Sequence, residues 1–174
     1  MLRSYSGSSD STSGTVWIDL CVPTAEEVDQ AAALSKLRIP TRVELQEIES
    51  SSRLRVENGT LYLSMSVSAH PEQNESAPTP IGFLLSESVL VTVRYTELRG
   101  FEDARKQLAQ GSCAPTPIGI FIALLEGMVD FGADTLEQIA AELNGISHRV
   151  FKGYGSPRRH SVAGSNRGLR QALV

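Results

Sequence analysis

One apolar pattern dominates the last third of the chain, from Pro117 to Phe151. Apolar residues recur there at alternating steps of four and three, with one glycine among them: Ile118, Ile122, Leu125, Val129, Gly132, Leu136, Ile139, Leu143, Ile146 and Val150. This repeat predicts one long helix with a narrow apolar seam, as in helices that pack against helices. Such a helix would run about 50 Å, so we expect part of it to pack on something outside the domain.

The same helix carries acidic residues on a side away from the seam. They follow one another at helical spacing, at Glu126, Asp130, Asp134 and Glu137. Carboxylates one turn apart concentrate negative potential and can hold a hydrated divalent cation, above all Mg²⁺, which needs few direct ligands. A solvated helix face is the alternative interpretation, and spacing alone does not decide between the two.

Shorter patterns before this helix predict a strand followed by two helices. The segment from Thr15 to Cys21 is β-branched and apolar at most positions, as a buried strand would be. Thr24 with Glu27, and Thr41 with Glu44, have the spacing of the capping box that opens a helix. We therefore expect helices from residue 24 to about 37 and from residue 41 to about 48.

The middle of the chain predicts antiparallel strands. Asn58-Gly59 is the dipeptide best suited to a tight hairpin turn, so two strands should pair between residues 53 and 68. A second antiparallel pair is expected at 81–85 and 89–95, followed by a short amphipathic helix at 101–109. The assembled prediction is an α/β/α sandwich with a mixed, partly antiparallel sheet and one long C-terminal helix.

Composition divides the chain into three parts. Residues 1–14 are Ser-rich and predict a disordered leader, residues 15–151 the folded domain, and residues 152–174 a flexible basic linker with the truncated start of a further helix. The last part holds Lys152, Arg158, Arg159, Arg167 and Arg170 and no acid. Because the whole chain has a net charge of −4, the remaining body carries −9 and should repel nucleic acid.

Motifs for enzyme chemistry are missing from the sequence. It contains no Gly-rich phosphate loop, no nucleophile elbow and no metal-protease helix, so we expect no enzyme. Cys21 and Cys113 lie far apart without a His or Cys at ligand spacing, which argues against a disulfide and against a zinc site. The longest apolar run is about eight residues, too short to span a membrane.

Short motifs follow one another in a particular order between Val16 and Phe151. They are WIDL at 17–20, PT at 23–24, PTR at 40–42, EIE at 47–49, LVTVRY at 90–95, LLE at 124–126, VD at 129–130 and AD at 133–134. In this order and spacing the chain resembles the N-terminal cytoplasmic domain of CorA-type divalent-cation transporters. Members of that family are homopentameric Mg²⁺ channels of the inner membrane, with a stalk helix, a pore and a Gly-Met-Asn signature. None of these three parts occurs in this sequence.

The resemblance implies a regulatory role and candidate ligands. In the family, an acidic residue at the end of the second helix faces a neighbouring subunit and binds regulatory Mg²⁺, and Glu47 stands at that place. Its predecessor, often also acidic, is Gln46 here. Glu126 matches a second intersubunit position, and the acid-rich long helix of the family agrees with Asp130 and Asp134. Mg²⁺ is the expected ion, with Co²⁺ or Zn²⁺ as others, and the domain is expected to be cytoplasmic, reaching the membrane only through the missing pore.

Three functions are therefore open at this point. The first is the Mg²⁺-sensing domain of a pentameric CorA-like channel. The second is the equivalent domain of a zinc-transporting relative, although zinc prefers His and Cys ligands that this chain scarcely offers. The third is a stand-alone soluble module that binds a partner helix through the seam of the long helix.

Overall fold

The computed structural model describes residues 1–6, 14–46, 53–67 and 78–154. In these ranges the strands are β1 Leu2–Ser6, β2 Thr15–Cys21, β3 Leu54–Glu57, β4 Thr60–Val67, β5 Thr79–Leu85 and β6 Leu90–Arg94. The helices are α1 Ala25–Ser35, α2 Arg42–Leu45, α3 Arg99–Gln110 and α4 Pro117–Tyr154. The chain divides into two compact units, Met1–Thr135 and Leu136–Val174, so that the boundary falls within α4.

The first unit is built on one six-stranded sheet with the order β1-β2-β6-β5-β4-β3. Only the pair of β2 and β6 is parallel among the described strands, and the other neighbours are antiparallel. In β2, Trp17, Ile18 and Leu20 are fully buried, because both faces of the central strands are covered by helices. The predicted mixed, partly antiparallel sheet is confirmed.

The hairpin turn and the two helix starts predicted from local sequence signals are present in the structure. Asn58 and Gly59 both have positive φ, 50° and 77°, and join β3 to β4, as a two-residue hairpin turn requires. Thr24 and Thr41 each accept a hydrogen bond from the amide three residues on, and the two capping boxes are complete. The described part of the second helix is short and ends at Leu45.

The first strand was not predicted from the sequence. Leu2–Ser6 forms β1, which pairs antiparallel with β2 from Leu2 opposite Leu20 to Ser6 opposite Thr15. The expectation of a disordered leader over residues 1–14 is therefore wrong for residues 2–6. Tyr5 stacks on Trp17 with ring centroids 4.6 Å apart, and this contact stabilises a strand whose serines gave it a poor β pattern. Residues 7–13 lie outside the described part.

Two apolar clusters lie on opposite faces of the sheet. One contains Ile18, Leu20, Ala31, Leu45 and Leu84, and joins α1 and α2 to the sheet. The other contains residues of the sheet, α3 and α4, namely Trp17, Ile81, Phe83, Leu90, Phe101, Ala104, Ile120, Phe121, Ala123 and Leu124. The first unit is thus an α/β/α sandwich, as predicted.

Helix α4 buries a different face from the predicted seam. Ile120, Phe121 and Leu124 fill the core, whereas the seam residues Ile118 and Val129 are exposed. The first half of α4 is therefore apolar on two faces, one covered by its own domain and one open. In the second unit the seam residues Leu136, Ile139, Leu143, Ile146 and Val150 are exposed as well. Among the described residues, no helix combines the length and apolar character that crossing a membrane needs.

A pair of glycines sets how closely α3 and α4 approach. A Cβ at Gly127 would lie 3.1 Å from the Cα of Gly100, and a Cβ at Gly100 would lie 3.2 Å from the carbonyl carbon of Gly127. These atoms are backbone and cannot turn aside as a flexible side chain could. Glycine at both positions therefore permits the contact that brings Phe101 against the sheet.

We predict that Gly127→Leu lowers the free energy of unfolding by about 1–3 kcal/mol, because a side chain at the contact forces the two helices apart. Gly132→Leu is the matched control, since a Cβ there meets nothing within 4 Å and leucine is the better helix former. Urea unfolding followed by circular dichroism measures both variants. Equal effects would contradict the assigned role of Gly127.

Candidate functional site

The acidic residues of α4 lie on its solvent side. Glu126, Asp130 and Asp134 are all exposed, and their spacing of four residues stacks them one helical turn apart. Among the described residues, however, no group of three or more His, Cys, Asp or Glu side chains is placed to hold a metal ion. The first unit therefore offers exposed carboxylates on α4 and not a closed metal cage.

The predicted ligand Glu47 lies outside the described residues, which stop at Gln46. The helical turn that precedes Glu47 is stabilised by contacts of Glu44. Thr41 N–H donates to Glu44 Oε2 at 2.8 Å, and Arg38 pairs with the same carboxylate. These hydrogen bonds, first that of the Thr41 amide and then that of Arg38, lower the pKa of Glu44.

Leu45 fixes the end of α2 against the sheet. It is buried, and its Cδ2 would lie 2.8 Å from a Cβ built on Gly82. Glycine in β5 therefore leaves the space that this leucine fills. Arg42 adds a second contact, with its guanidinium carbon 4.9 Å from the centre of the Tyr95 ring. Together these contacts hold α2 on one face of the sheet.

The end of α2 and the acidic residues of α4 are on opposite faces of the sheet. Leu45 belongs to the apolar cluster of α1 and α2, whereas Leu124 belongs to the cluster of α3 and α4. Glu126 follows Leu124 by two residues on α4. Within this unit of one chain, the described end of α2 and Glu126 do not come together at one site.

The structure also contains a buried charged cluster that sequence reasoning missed. Asp19 on β2 and Arg94 on β6 are both fully buried. Arg94 Nε donates to Asp19 Oδ1 at 3.0 Å, and Arg94 Nη2 donates to Asp19 Oδ2 at 2.9 Å. This two-pronged geometry is the strongest arrangement for a guanidinium and a carboxylate.

The remaining donors of Arg94 are satisfied at the edge of the core. Its Nη1 donates to Thr96 O at 2.8 Å and to Glu97 Oε2 at 2.7 Å, and the guanidinium lies 4.8 Å from the centre of the Phe101 ring. Burial alone would lower the pKa of Arg94, but the hydrogen bonds and charge of Asp19, assisted by Glu97, raise it. Arg94 therefore stays charged in the folded protein.

Asp19 is equally well satisfied. Thr92 Oγ1 donates to its Oδ1 at 3.0 Å and itself accepts from Trp17 Nε1 at 3.1 Å, while Arg105 of α3 lies 3.5 Å from Oδ2. Among the described residues, no buried side-chain nitrogen or oxygen lacks a partner. A buried cluster whose polar atoms all have partners within the protein is structural, and it joins β2, β6 and α3.

A signal for this cluster was present in the sequence. Asp19 interrupts an otherwise apolar strand, TVWIDLC, and Arg94 ends another, LVTVR. A charge in a buried strand implies a partner, because an unpaired buried charge costs far more than a fold of this size can lose. The two residues are 75 positions apart, so periodicity within either strand could not identify the partner.

Comparison with known proteins places this fold and these residues in a family. A family model described as CorA-like Mg²⁺ transporter protein matches residues 12–168. The chain belongs to the CorA-like Mg²⁺ transporter family. The magnesium transport protein CorA of Wolinella succinogenes is 32% identical over 146 residues, which cover 81% of this chain and 46% of that protein. The chain thus spans about half the length of this CorA relative.

Solved structures with the same fold include one soluble domain and one cytoplasmic domain. The soluble domain of CorA from Methanocaldococcus jannaschii matches 79% of this chain and 56% of its own, with a TM-score of 0.58 and 16% identity. The ZntB cytoplasmic domain from Vibrio parahaemolyticus matches 81% of this chain and 64% of its own, with a TM-score of 0.54 and 17% identity. At these identities the two matches establish the fold of this CorA-like chain, and the choice of ion is a separate question.

The buried pair predicts a strong asymmetry between single and double substitutions. Asp19→Ala should lower the free energy of unfolding by about 3–5 kcal/mol, because Arg94 loses its buried counter-charge and keeps only the exposed carboxylate of Glu97. The double variant Asp19→Leu with Arg94→Met should cost less than this single change. Asp103→Ala is the control, since it removes only an exposed pair with Lys106 worth about 0–1 kcal/mol. Urea unfolding at pH 7 ranks the three variants.

The pair of Glu97 with Arg94 predicts a dependence on pH. The hydrogen bond and charge of Arg94 lower the pKa of Glu97 in the folded protein. The ionised Glu97 therefore stabilises the folded state at pH values above its pKa in the unfolded chain, about 4.3. This stabilisation is lost as the pH falls through its lower pKa in the folded protein. Because the Glu97 side chain is 67% exposed, we expect Glu97→Gln to cost about 0.5 kcal/mol near pH 7. Unfolding measurements at pH 7 and pH 3 should show this difference shrink, and a constant difference would refute the assignment.

Proposed function

We propose that this chain is the cytoplasmic regulatory domain of a homopentameric CorA-like channel of the inner membrane and that its conformation responds to Mg²⁺. The observation that carries the proposal is the family match over residues 12–168, which includes the exposed carboxylates of α4. Because the chain covers 46% of the Wolinella succinogenes relative, transport itself belongs to the longer protein. The part played by this chain is regulation.

The proposed ligands suit a site shared between subunits. Glu47 would follow α2 on one face of the sheet, whereas Glu126 and Asp130 lie on α4 on the other face. In one chain the sheet lies between the described end of α2 and these carboxylates of α4. An ion held by both therefore needs the α2 end of one subunit beside the α4 of another, as a ring of identical subunits provides.

The chemistry of these groups fits Mg²⁺ better than Zn²⁺. All candidate ligands are carboxylates, which are hard oxygen donors, and too few lie together to replace the ion's hydration shell. The two cysteines do not add soft ligands, because Cys21 is buried against the Thr96 carbonyl and Glu97 and burial raises the pKa of both thiols. Bound Mg²⁺, keeping most of its waters, would supply positive charge between facing carboxylates.

The physical basis of the response is repulsion between subunits. Residues 1–151 carry a net charge of −9, so five copies in a ring repel one another wherever their acidic faces approach. A Mg²⁺ ion held between Glu47, Glu126 and Asp130 of neighbouring subunits would remove much of that repulsion and favour a closed, symmetric ring. When the site empties, the repulsion returns, and the population shifts toward looser arrangements that open the pore.

Sedimentation velocity of this chain at rising Mg²⁺ tests the proposal, with Ca²⁺ and Zn²⁺ at matched ionic strength as controls. We expect Mg²⁺-specific association. Glu126→Gln should raise the Mg²⁺ concentration needed by about thirtyfold, because one carboxylate charge about 4 Å from a divalent ion contributes about 2 kcal/mol in water. Glu87→Gln removes the same charge from the exposed turn between β5 and β6 and should leave the Mg²⁺ dependence unchanged.

The full-length protein provides the test for Glu47. Glu47→Ala should weaken the protection from proteolysis that Mg²⁺ gives, while the Glu87→Gln control keeps it. Unchanged protection would remove Glu47 from the proposed site. Association driven equally well by Ca²⁺ would argue for general charge screening, and a preference for Zn²⁺ would favour the zinc-transporting alternative.

A further inference from the structure

The face of the sheet that carries α1 and α2 has a cavity beside the end of α2. Its volume is about 130 Å³, and residues of α2, β3, β4 and β5 line it. Glu44 and Leu45 border it from the helix, and Tyr62 and Ser64 border it from β4. Gly82 lies directly opposite Ser64 in the sheet. Two small residues therefore stand side by side where larger side chains would fill the space.

The cavity is large enough for a small organic molecule. An apolar cavity of about 150 Å³ holds benzene, so this one suits a body close to the size of one benzene ring. Pro40, Leu45 and Leu84 give it apolar walls. The side chains of Arg55 and Glu44 at its border are 44% and 35% exposed, so the cavity opens to solvent on that side. A ligand can enter there, and its inner part should be compact and apolar.

A guanidinium group stands at the mouth of the cavity. Arg55 of β3 lies opposite Tyr62 of β4, with its guanidinium carbon 4.7 Å from the centre of the Tyr62 ring. Its ion pair with Glu57 is 3.8 Å long, which is too long for a hydrogen bond. The aromatic ring therefore orients the guanidinium, and the long ion pair leaves N–H donors available for an anion.

The carboxylate at the border of the cavity is already neutralised. Glu44 accepts hydrogen bonds from the Thr41 amide at 2.8 Å and from the Thr41 hydroxyl at 3.1 Å, and it pairs with Arg38. These contacts belong to the capping box of α2. A ligand therefore meets the donors of Arg55 and the hydroxyl of Ser64 before it meets an open carboxylate, and this favours an anion over a cation.

We propose that this cavity binds a small organic anion, namely a carboxylate on a compact apolar or aromatic body. The carboxylate accepts hydrogen bonds from Arg55 at the mouth, because its two oxygens match the planar fork of a guanidinium. The body of the ligand packs inside against Leu45 and Leu84. An inorganic anion such as phosphate can pair with Arg55 but gains nothing from the apolar walls. This proposal does not rest on the binding of Mg²⁺.

Titration of this chain with benzoate, followed in NMR spectra of the backbone amides, tests the proposal. Benzoate joins a carboxylate to a ring of the size that the cavity accepts. We expect saturable shifts at the amides of Leu45, Ser64 and Gly82. Benzyl alcohol has the same ring without the charge and should bind at least about tenfold more weakly, because it cannot form charge-assisted hydrogen bonds with Arg55. All titrations contain a metal chelator, so their outcome is independent of the proposed regulatory site.

Two variants separate the contribution of the charge from that of the space. Arg55→Gln should weaken benzoate binding at least about tenfold, whereas Arg99→Gln, at an exposed arginine that begins α3 on the other face of the sheet, should leave it unchanged. Ser64→Leu keeps Arg55 but fills the cavity and should abolish saturable binding. Ser66→Leu is its matched control, at an exposed serine two residues further along β4.

Three results would overturn the proposal. The absence of any saturable shift with benzoate would mean that the cavity does not accept a ligand. Equal affinities for benzoate and benzyl alcohol would mean that the charge of Arg55 plays no part. Equal affinities for benzoate and inorganic phosphate, unaffected by Ser64→Leu, would mean that anions pair with Arg55 at the surface without using the cavity. The first two results need no variant, and the amide spectra show whether each variant is folded.

Discussion

The buried ion pair of Asp19 and Arg94 is the constraint on which the centre of the sandwich depends. It joins the parallel strands β2 and β6 and reaches α3 through the Phe101 ring and Arg105. Both charges are out of water, so the pair tolerates no loosening of the geometry around it. The register of the two strands, the position of α3 and the glycine contact between α3 and α4 are therefore coupled.

The sheet separates α2 from the first half of α4, the two elements to which the proposed metal site is assigned. The central strands keep α2 on one face and the first half of α4 on the other, with fully buried side chains between them. The acidic residues of α4 cannot turn inward, because the core face of that helix is filled by Ile120, Phe121 and Leu124. A sandwich that keeps α2 and the first half of α4 on opposite faces suits the proposed site completed by a neighbour and does not suit a pocket inside one chain.

Signals that act over a few residues were readable from the sequence, and those that act between distant residues were not. The capping boxes at Thr24 and Thr41 and the turn at Asn58-Gly59 formed as predicted, because their partners are three residues away or fewer. Strand β1 was missed because its stability comes from pairing with β2 and from Tyr5 on Trp17. The partner of Asp19 was missed for the same reason, since Arg94 is 75 residues away.

The long helix shows that the most regular apolar pattern of a sequence need not be the one that forms the core. Its 4-3 seam was the most regular apolar signal in the sequence, yet the core uses a neighbouring face of α4 that is less regular. Periodicity identifies faces and does not say which of two apolar faces meets the sheet. For the candidate ligands, the sequence and the family resemblance named residues, whereas the structure added that the described end of α2 and the carboxylates of α4 lie on opposite faces of the sheet.

The most direct test of the shared site is calorimetric titration of this chain with Mg²⁺ at several protein concentrations. An ion held between subunits couples binding to association, so the apparent affinity should rise as the protein concentration rises, with the heat of association appearing in the same titration. An affinity that stays constant over a hundredfold range of protein concentration would place the whole site within one chain and contradict the account.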